Sequence, residues 1–304
     1  GGYRWVGLEE LGKDPDAAVA ERLDIGTALG NLGDNQPAFF EDAARSRSLY
    51  QTLFDGLPTH PIDLMYGALS QLSGGQKTVR TAVEPDGRKY CPCIYRSHMP
   101  DYGYAPHVDS VRYRERRTDY EIFRFSTQFG GILLLQAPVR SPLLGEGRTP
   151  GYTPPSDRYH DTIMYNAPCT RTDVAELMAD ERNQIPGRML KTSAFRDFAT
   201  HSRLPACPID LEVGDMYFFK SCAAGRLAAC HHLSGSLTER PMAECVSCAE
   251  LLLPLLLLLS RLTKARGARD SLHEVPGFAG DKARVVQATF IGYSEDDDEI
   301  MVWS

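Results

Sequence analysis

Near residue 76 the hydrophobic pattern changes period, and this constrains the fold more than any other feature of the chain. Before it, apolar residues recur at helical spacing. From Pro37 to Leu57 they are Phe39, Phe40, Ala43, Ala44, Leu49, Tyr50, Leu53 and Phe54, and Gly56-Leu57-Pro58 supplies a stop. Pro61 to Leu72 repeats the pattern, with Pro at its start and Ser73-Gly74-Gly75 after its end, so a second helix is predicted. From Thr78 the runs are short and strand-like. TVRTAVEPDGRKYCPCIYRSHM reads as two strands joined around the turn Pro85-Asp86-Gly87. YAPHVDSV, FRFSTQFGGILLLQAPV, HDTIMYN, PIDLEVGDMYFF and ARVVQATFIGY follow, with no strong helical period except around Asp173 to Asp180. The expected fold class is therefore mainly β with flanking helices: a helical region over 1–75 packing on an antiparallel β domain over 76–304.

Length and charge narrow the classes. A chain of 304 residues buries a full core without disulfides or metal staples. Its 33 basic against 40 acidic residues, net −7, give no footprint for a polyanion, so no nucleic-acid partner is expected. The longest apolar run, Leu251 to Leu259, contains Pro254 and falls far short of the roughly 20 residues that cross a bilayer, so no membrane span is expected. The eight cysteines are too sparse and uneven for a disulfide framework. This favours a reducing, cytoplasmic setting, although Gly1 in place of an initiator Met predicts a trimmed N-terminus that hides any targeting signal. Gly145 to Asp157 is rich enough in Gly and Pro to predict a lid-like loop, and Glu295 to Glu299 reads as a solvated acidic turn.

The strongest chemical signal is Pro106-His107-Val108-Asp109. On a strand, residues i and i+2 share a face, so one imidazole and one carboxylate can converge on a single ion. Such a triplet is common by chance; a second set of residues raises it. Ser271-Leu272-His273-Glu274-Val275 opens another strand-like run, and Arg284 stands eleven positions after His273 in the next one, which predicts the two on neighbouring strands. Two His and one carboxylate on one face of an ion leave other positions open, the arrangement used for O2 chemistry at non-haem Fe(II). A planar guanidinium at Arg284 can hold a carboxylate bidentately. Tyr95 and Arg96, on the strand entering the motif, and Arg124 and Gln128 are weaker candidates to face the same cavity. His160 and Asp161 are adjacent, point to opposite strand faces, and are not proposed as ligands.

The order His107, Asp109, then Gly214 to Phe219, then Leu272 to Pro276, then Ala283-Arg284 resembles the Fe(II)- and 2-oxoglutarate-dependent oxygenases over roughly residues 76 to 304. The resemblance implies a double-stranded β-helix (a cupin-like jelly roll), iron held by His107, Asp109 and His273, and Arg284 paired with the distal carboxylate of 2-oxoglutarate. Tyr95 is the further position assigned to cosubstrate binding. Ascorbate enters as an optional reductant. The implied reaction consumes O2, releases succinate and CO2, and oxidises a small-molecule substrate; a protein side chain, as in prolyl hydroxylases, is the alternative substrate. Halogenating relatives carry Gly or Ala at the ligand carboxylate's place, so Asp109 implies hydroxylation or a related oxidation and not halogenation. Many relatives carry Ser or Thr two residues after the Arg, where this chain has Val286. A non-catalytic jelly-roll or zinc-binding protein is the reading from another class.

Residues 222–269 break the resemblance. Joining the flanks gives FFKS-DSLHEVP, a continuous family-like hairpin, whereas the intervening stretch holds Cys222, Cys230, Cys245 and Cys248, LLLPLLLLL and RLTKARGAR. It reads as an insertion, such as a translated intron. Lengthening a turn to about fifty residues costs on the order of 2–3 kcal/mol, tolerable against a stability of about 5–15 kcal/mol. A chain made without 222–269 is expected to be more soluble and to bind iron better; failure to fold where the full chain folds would overturn this. Cys230-His231-His232 with Cys245 and Cys248 resembles the half-sites of a zinc module. His231 or His232 could also replace His273 as the third ligand, but neither precedes a strand with an Arg at the right remove.

Overall fold

The computed structural model describes residues 3–6, 22–99, 103–111, 117–125, 127–137, 162–168, 172–185, 189–204, 206–220, 271–276, 278, 282–294 and 297–304. The proposed insertion, the Gly/Pro-rich loop, His160 and Asp161, and His231 and His232 lie outside the described residues.

Both predicted N-terminal helices form, after a short α1 at Leu29–Leu32. Helix α2 spans Gln36–Leu53, starting where the Asn35 side chain accepts from the Ala38 amide and Pro37 takes an early position whose N–H a helix does not need. It stops before the expected Leu57 because Phe54 leaves helical dihedrals and packs its ring 4.8 Å from that of Tyr95. Helix α3 runs Pro61–Leu72 as predicted, capped by His60, whose Nδ1 accepts from the Ile62 amide at 3.1 Å. Helix α4 at Thr172–Ala179 matches the periodic stretch. Helix α5 at Thr192–His201, whose Phe195 and Phe198 pack in one apolar cluster, was not anticipated.

Strands carry the rest. The first two, β1 (Tyr3–Val6) and β2 (Arg22–Ile25), lie in the region expected to be helical, and β2 pairs antiparallel with β4. Then come β3 (Thr78–Thr81), β4 (Ile94–His98), β5 (Tyr104–His107), β6 (Thr127–Gln136), β7 (Thr162–Pro168), and a short β8 (Gln184–Ile185) and β9 (Met189–Leu190). The last are β10 (Ala206–Ile209), β11 (Met216–Lys220), β12 (Ser271–Val275), β13 (Arg284–Tyr293) and β14 (Glu299–Trp303). The larger sheet, of eight strands, is organised around β13. One edge of that strand pairs with β6, which in turn pairs with β11; the other edge pairs first with β4 and then with β14. The smaller sheet has the order β10-β7-β12-β5. The architecture is sheet-dominated with few helices, as the change of period predicts.

Helices α2 and α3 cover one face of the larger sheet. Phe39 meets Tyr90 and Tyr120 edge-on at centroid distances of 5.8 and 5.7 Å, Phe40 meets Tyr90 edge-on at 5.1 Å, and Met65 and Leu69 pack on Leu133, Met216, Ile291 and Val302. Each such fully buried side chain contributes roughly 1.5–3 kcal/mol. The other face turns toward the smaller sheet, where the Phe219 ring lies 4.9 Å from that of His273 and the Thr162 and Tyr217 hydroxyls are 2.7 Å apart. Between the two faces lies a cavity.

Candidate metal centre

Residues far apart in the chain meet here because β5 and β12 are hydrogen-bonded neighbours with His107 and His273 directly opposite each other. Alternation fixes which side chains point inward. Val108 and Leu272 are fully buried on the outer side with Val174, Leu190 and Phe195, and this anchoring turns His107, Asp109 and His273 into the cavity. Strand β5 ends at His107, so Asp109 lies just past it. The Gln128 amide holds it there: Nε2 donates to the Asp109 carbonyl at 3.2 Å and Oε1 accepts from the Val111 amide at 3.1 Å.

The donors converge. His273 Nε2 is 3.2 Å from Asp109 Oδ2, His107 Nε2 is 3.5 Å from Asp109 Oδ1, and one ligand atom from each residue lies within 4.8 Å of the others. His107 Nδ1 sits 2.8 Å from the Ala105 carbonyl, to which it donates, and this turns Nε2 toward Asp109. Burial acts to raise the Asp109 pKa, but the two imidazoles outweigh it and hold the carboxyl well below the ordinary range. Bonds of about 2.0–2.2 Å to nitrogen and carboxylate oxygen put neighbouring donors about 3 Å apart, close to the spacing seen. The donor set thus fits one divalent ion with positions left open.

Support for His273 comes from two sides. Phe219 presses on its ring, and does so because it crosses β6 at Gly130, where a Cβ would collide with that ring. The adjacent Glu274 points away and accepts a 2.5 Å hydrogen bond from the Tyr165 hydroxyl.

Arg284 is 1% exposed and lines the cavity. It is not on a strand next to His273, as the spacing suggested. Strand β12 belongs to the smaller sheet and β13 to the larger, so the two residues reach the cavity from opposite walls. For the same reason β11 and β12 do not form one hairpin. Val286 also lines the cavity, so no hydroxyl is supplied from that position.

Tyr95 does not face the cavity. It sits on the helix-covered side against Tyr50 and Phe54 at 5.0 and 4.8 Å, where burial pushes its phenol far above the usual range. Its neighbours Arg96 and His98 take the inward positions. A period of two was the available signal, since Ile94, Arg96 and His98 share a face that Tyr95 does not. Arg124 stands in a short 3-10 turn, Glu121–Arg124, ion-paired at 2.7 Å with both Glu121 and Asp297. Asp297 and Glu299 of the acidic turn thus pair with arginines, the latter with Arg80.

No protein-family model matches the chain, and no curated protein matches it. Among solved structures it is similar to an N-substituted L-amino acid dioxygenase from Burkholderia ambifaria AMMD, with 12% identity and a TM-score of 0.43 over 93% of this chain and 86% of that one. A structure of such a dioxygenase from that organism in complex with alpha-KG gives 13% identity and a TM-score of 0.42 over 93% and 86%. At this level the likeness carries no weight for fold or function. Among the described residues, no helix is long and apolar enough to cross a membrane.

Proposed function

We propose that this chain is an Fe(II)- and 2-oxoglutarate-dependent oxygenase with a double-stranded β-helix core, hydroxylating a small-molecule substrate. The observation that carries the reading is the meeting of His107, Asp109 and His273, from two strands 166 positions apart in sequence, around one point in a cavity that Arg284 also lines. The two sheets facing each other across that cavity, antiparallel in every pairing except the parallel β14–β3, support the fold assignment.

His107 and His273 would hold the metal through Nε2 and Asp109 through its carboxylate. Iron held there would supply O2 activation coupled to oxidation of 2-oxoglutarate to succinate and CO2. The protein's own contribution is positional and electrostatic. The Ala105 carbonyl orients the His107 ring, Gln128 holds the backbone around Asp109, and Phe219 packs on His273. The depressed Asp109 carboxyl stays ionised, so it stands ready as an anionic ligand. Arg284, planar and always charged, suits the distal carboxylate of 2-oxoglutarate, and its burial strengthens that pairing.

The test is metal analysis of the purified full chain with succinate release from 2-oxoglutarate. Iron-dependent release that disappears in His107→Ala and His273→Ala is the expected result. Tightly held zinc with no succinate would overturn the reading, and so would loss of iron on changing His231 or His232 with His273→Ala silent.

A further inference from the structure

Arg22, Asp24 and Arg96 form a second polar group beside the metal centre, and the metal reading does not use it. Strand register places it. Across β2, β4 and β13 one row is Arg22, His98, Arg284, and the next is Asp24, Arg96, Val286. Positions two apart share a face, so both rows are on the cavity side of the larger sheet. Three guanidinium groups thus share this wall with one carboxylate, since His98 adds no charge: burial first, then Arg284, Arg22 and Arg96, hold its imidazole well below the ordinary range.

That single carboxylate is already committed. Asp24 is fully buried, and its Oδ2 accepts from Arg22 at 2.7 Å. Its Oδ1 stands 3.7 Å from Arg96 Nε, beyond hydrogen-bond reach, and among the described residues neither of those two atoms has a hydrogen-bond partner. If Arg284 takes the distal carboxylate of 2-oxoglutarate, Arg96 is left as the cation without a hydrogen-bonded anion. It is 20% exposed and lines the cavity, so its fork is accessible from there. The Tyr104 ring links it to the metal centre: the Arg96 guanidinium carbon lies 5.9 Å from that ring's centroid, and the same ring meets His107 edge-on at 4.4 Å. An anion on Arg96 would therefore sit one aromatic ring away from a metal ligand. Beside these polar groups the same wall carries apolar side chains, Ile94, Ile132, Val286 and Ala288.

We propose that the substrate is a small carboxylic acid with an apolar body, recognised through its carboxylate by Arg96. This rests on the oxygenase reading for the use of the site, but the binding claim is tested separately. A planar carboxylate matches the guanidinium fork, whereas an uncharged isostere would leave the cation without its anion.

The experiment uses the full chain loaded with Mn(II), without O2, at saturating 2-oxoglutarate. Calorimetry compares acids with their amides: butanoate with butanamide, hexanoate with hexanamide, and phenylacetate with phenylacetamide. At least one acid is expected to bind about 30-fold or more tightly than its amide. Arg96→Gln should abolish that preference while 2-oxoglutarate affinity stays within about twofold. Arg96→Lys, which keeps the charge and loses the fork, should retain part of it. If no acid binds better than its amide in the unaltered chain, or if the preference survives Arg96→Gln, the proposal is overturned. If Arg96→Gln does not fold, the acid-to-amide ratio of the unaltered chain and of Arg96→Lys decides. Failure of 2-oxoglutarate itself to bind, with the acid preference intact, would sink the oxygenase reading and leave this one standing.

Discussion

On the helix-covered side of the larger sheet the side chains are apolar and aromatic; on the cavity side of the same strands they include guanidinium, imidazole and apolar groups together. Strand β4 shows both. Tyr95 faces Tyr50 and Phe54, while Arg96 and His98 face the metal centre. On the covered side Phe39 of α2 and Met65 of α3 have no exposure and pack in apolar clusters against the sheet. The inner face buries Arg284, Arg22 and His98 almost as deeply, and His107 and His273 are buried across the cavity on the smaller sheet. Burying charge is costly unless it is paired; Arg22 is paired with Asp24, and His107 and His273 stand against Asp109, while Arg96 meets its nearest carboxylate oxygen only at 3.7 Å. One face holds the sheet in place, and the other uses that rigidity to set out a site.

If the two faces are separable in this way, changes on each should have different consequences. The largest effect should come from His107→Ala or His273→Ala, which remove a donor: metal content and succinate release should both be lost, with far-ultraviolet circular dichroism unchanged. His231→Ala and His232→Ala should leave turnover intact. Next, Phe39→Ala on the covered side should cost about 3–5 kcal/mol of stability, read by urea denaturation. Metal stoichiometry of the folded fraction should be unaltered, and an early loss of metal would show that the faces are coupled. Arg284→Ala should raise the 2-oxoglutarate KM by more than about 30-fold while metal is retained. The smallest effect is expected from Gly130→Ala, whose Cβ would push the Phe219 ring into His273. A loss of about tenfold in metal affinity, typical for a residue that supports a ligand, with little change in fold would sharpen the comparison.

Some of this is legible without coordinates. The two long helices are, because their start and stop signals and apolar spacing are local: Pro61 and Ser73-Gly74-Gly75 bracket α3 at its observed ends. The pairing of His107 with Asp109 is legible from the period of two. Arg284 is legible as a candidate anion clamp, but its wall is not. Spacing suggested a strand beside His273, and sheet pairing put it on the opposite sheet. The choice of Tyr95 over Arg96 fails for a related reason, since alternation says which residues share a face but not which face is covered by α2. Strand β2 was hidden because four residues have too little pattern to stand out, and it is recruited only by its pairing with β4.

Local chemistry along the chain thus determined the helices, the β character that follows residue 76, and the residues able to bind a metal. Only the tertiary structure decided that His107 and His273 stand opposite each other, that Arg96 and not Tyr95 faces them, and that Arg22 joins from the N-terminal region. Periodicity and capping act over a few residues, whereas strand partners and the face a helix covers are set by contacts between segments whose separation along the chain carries no record of them.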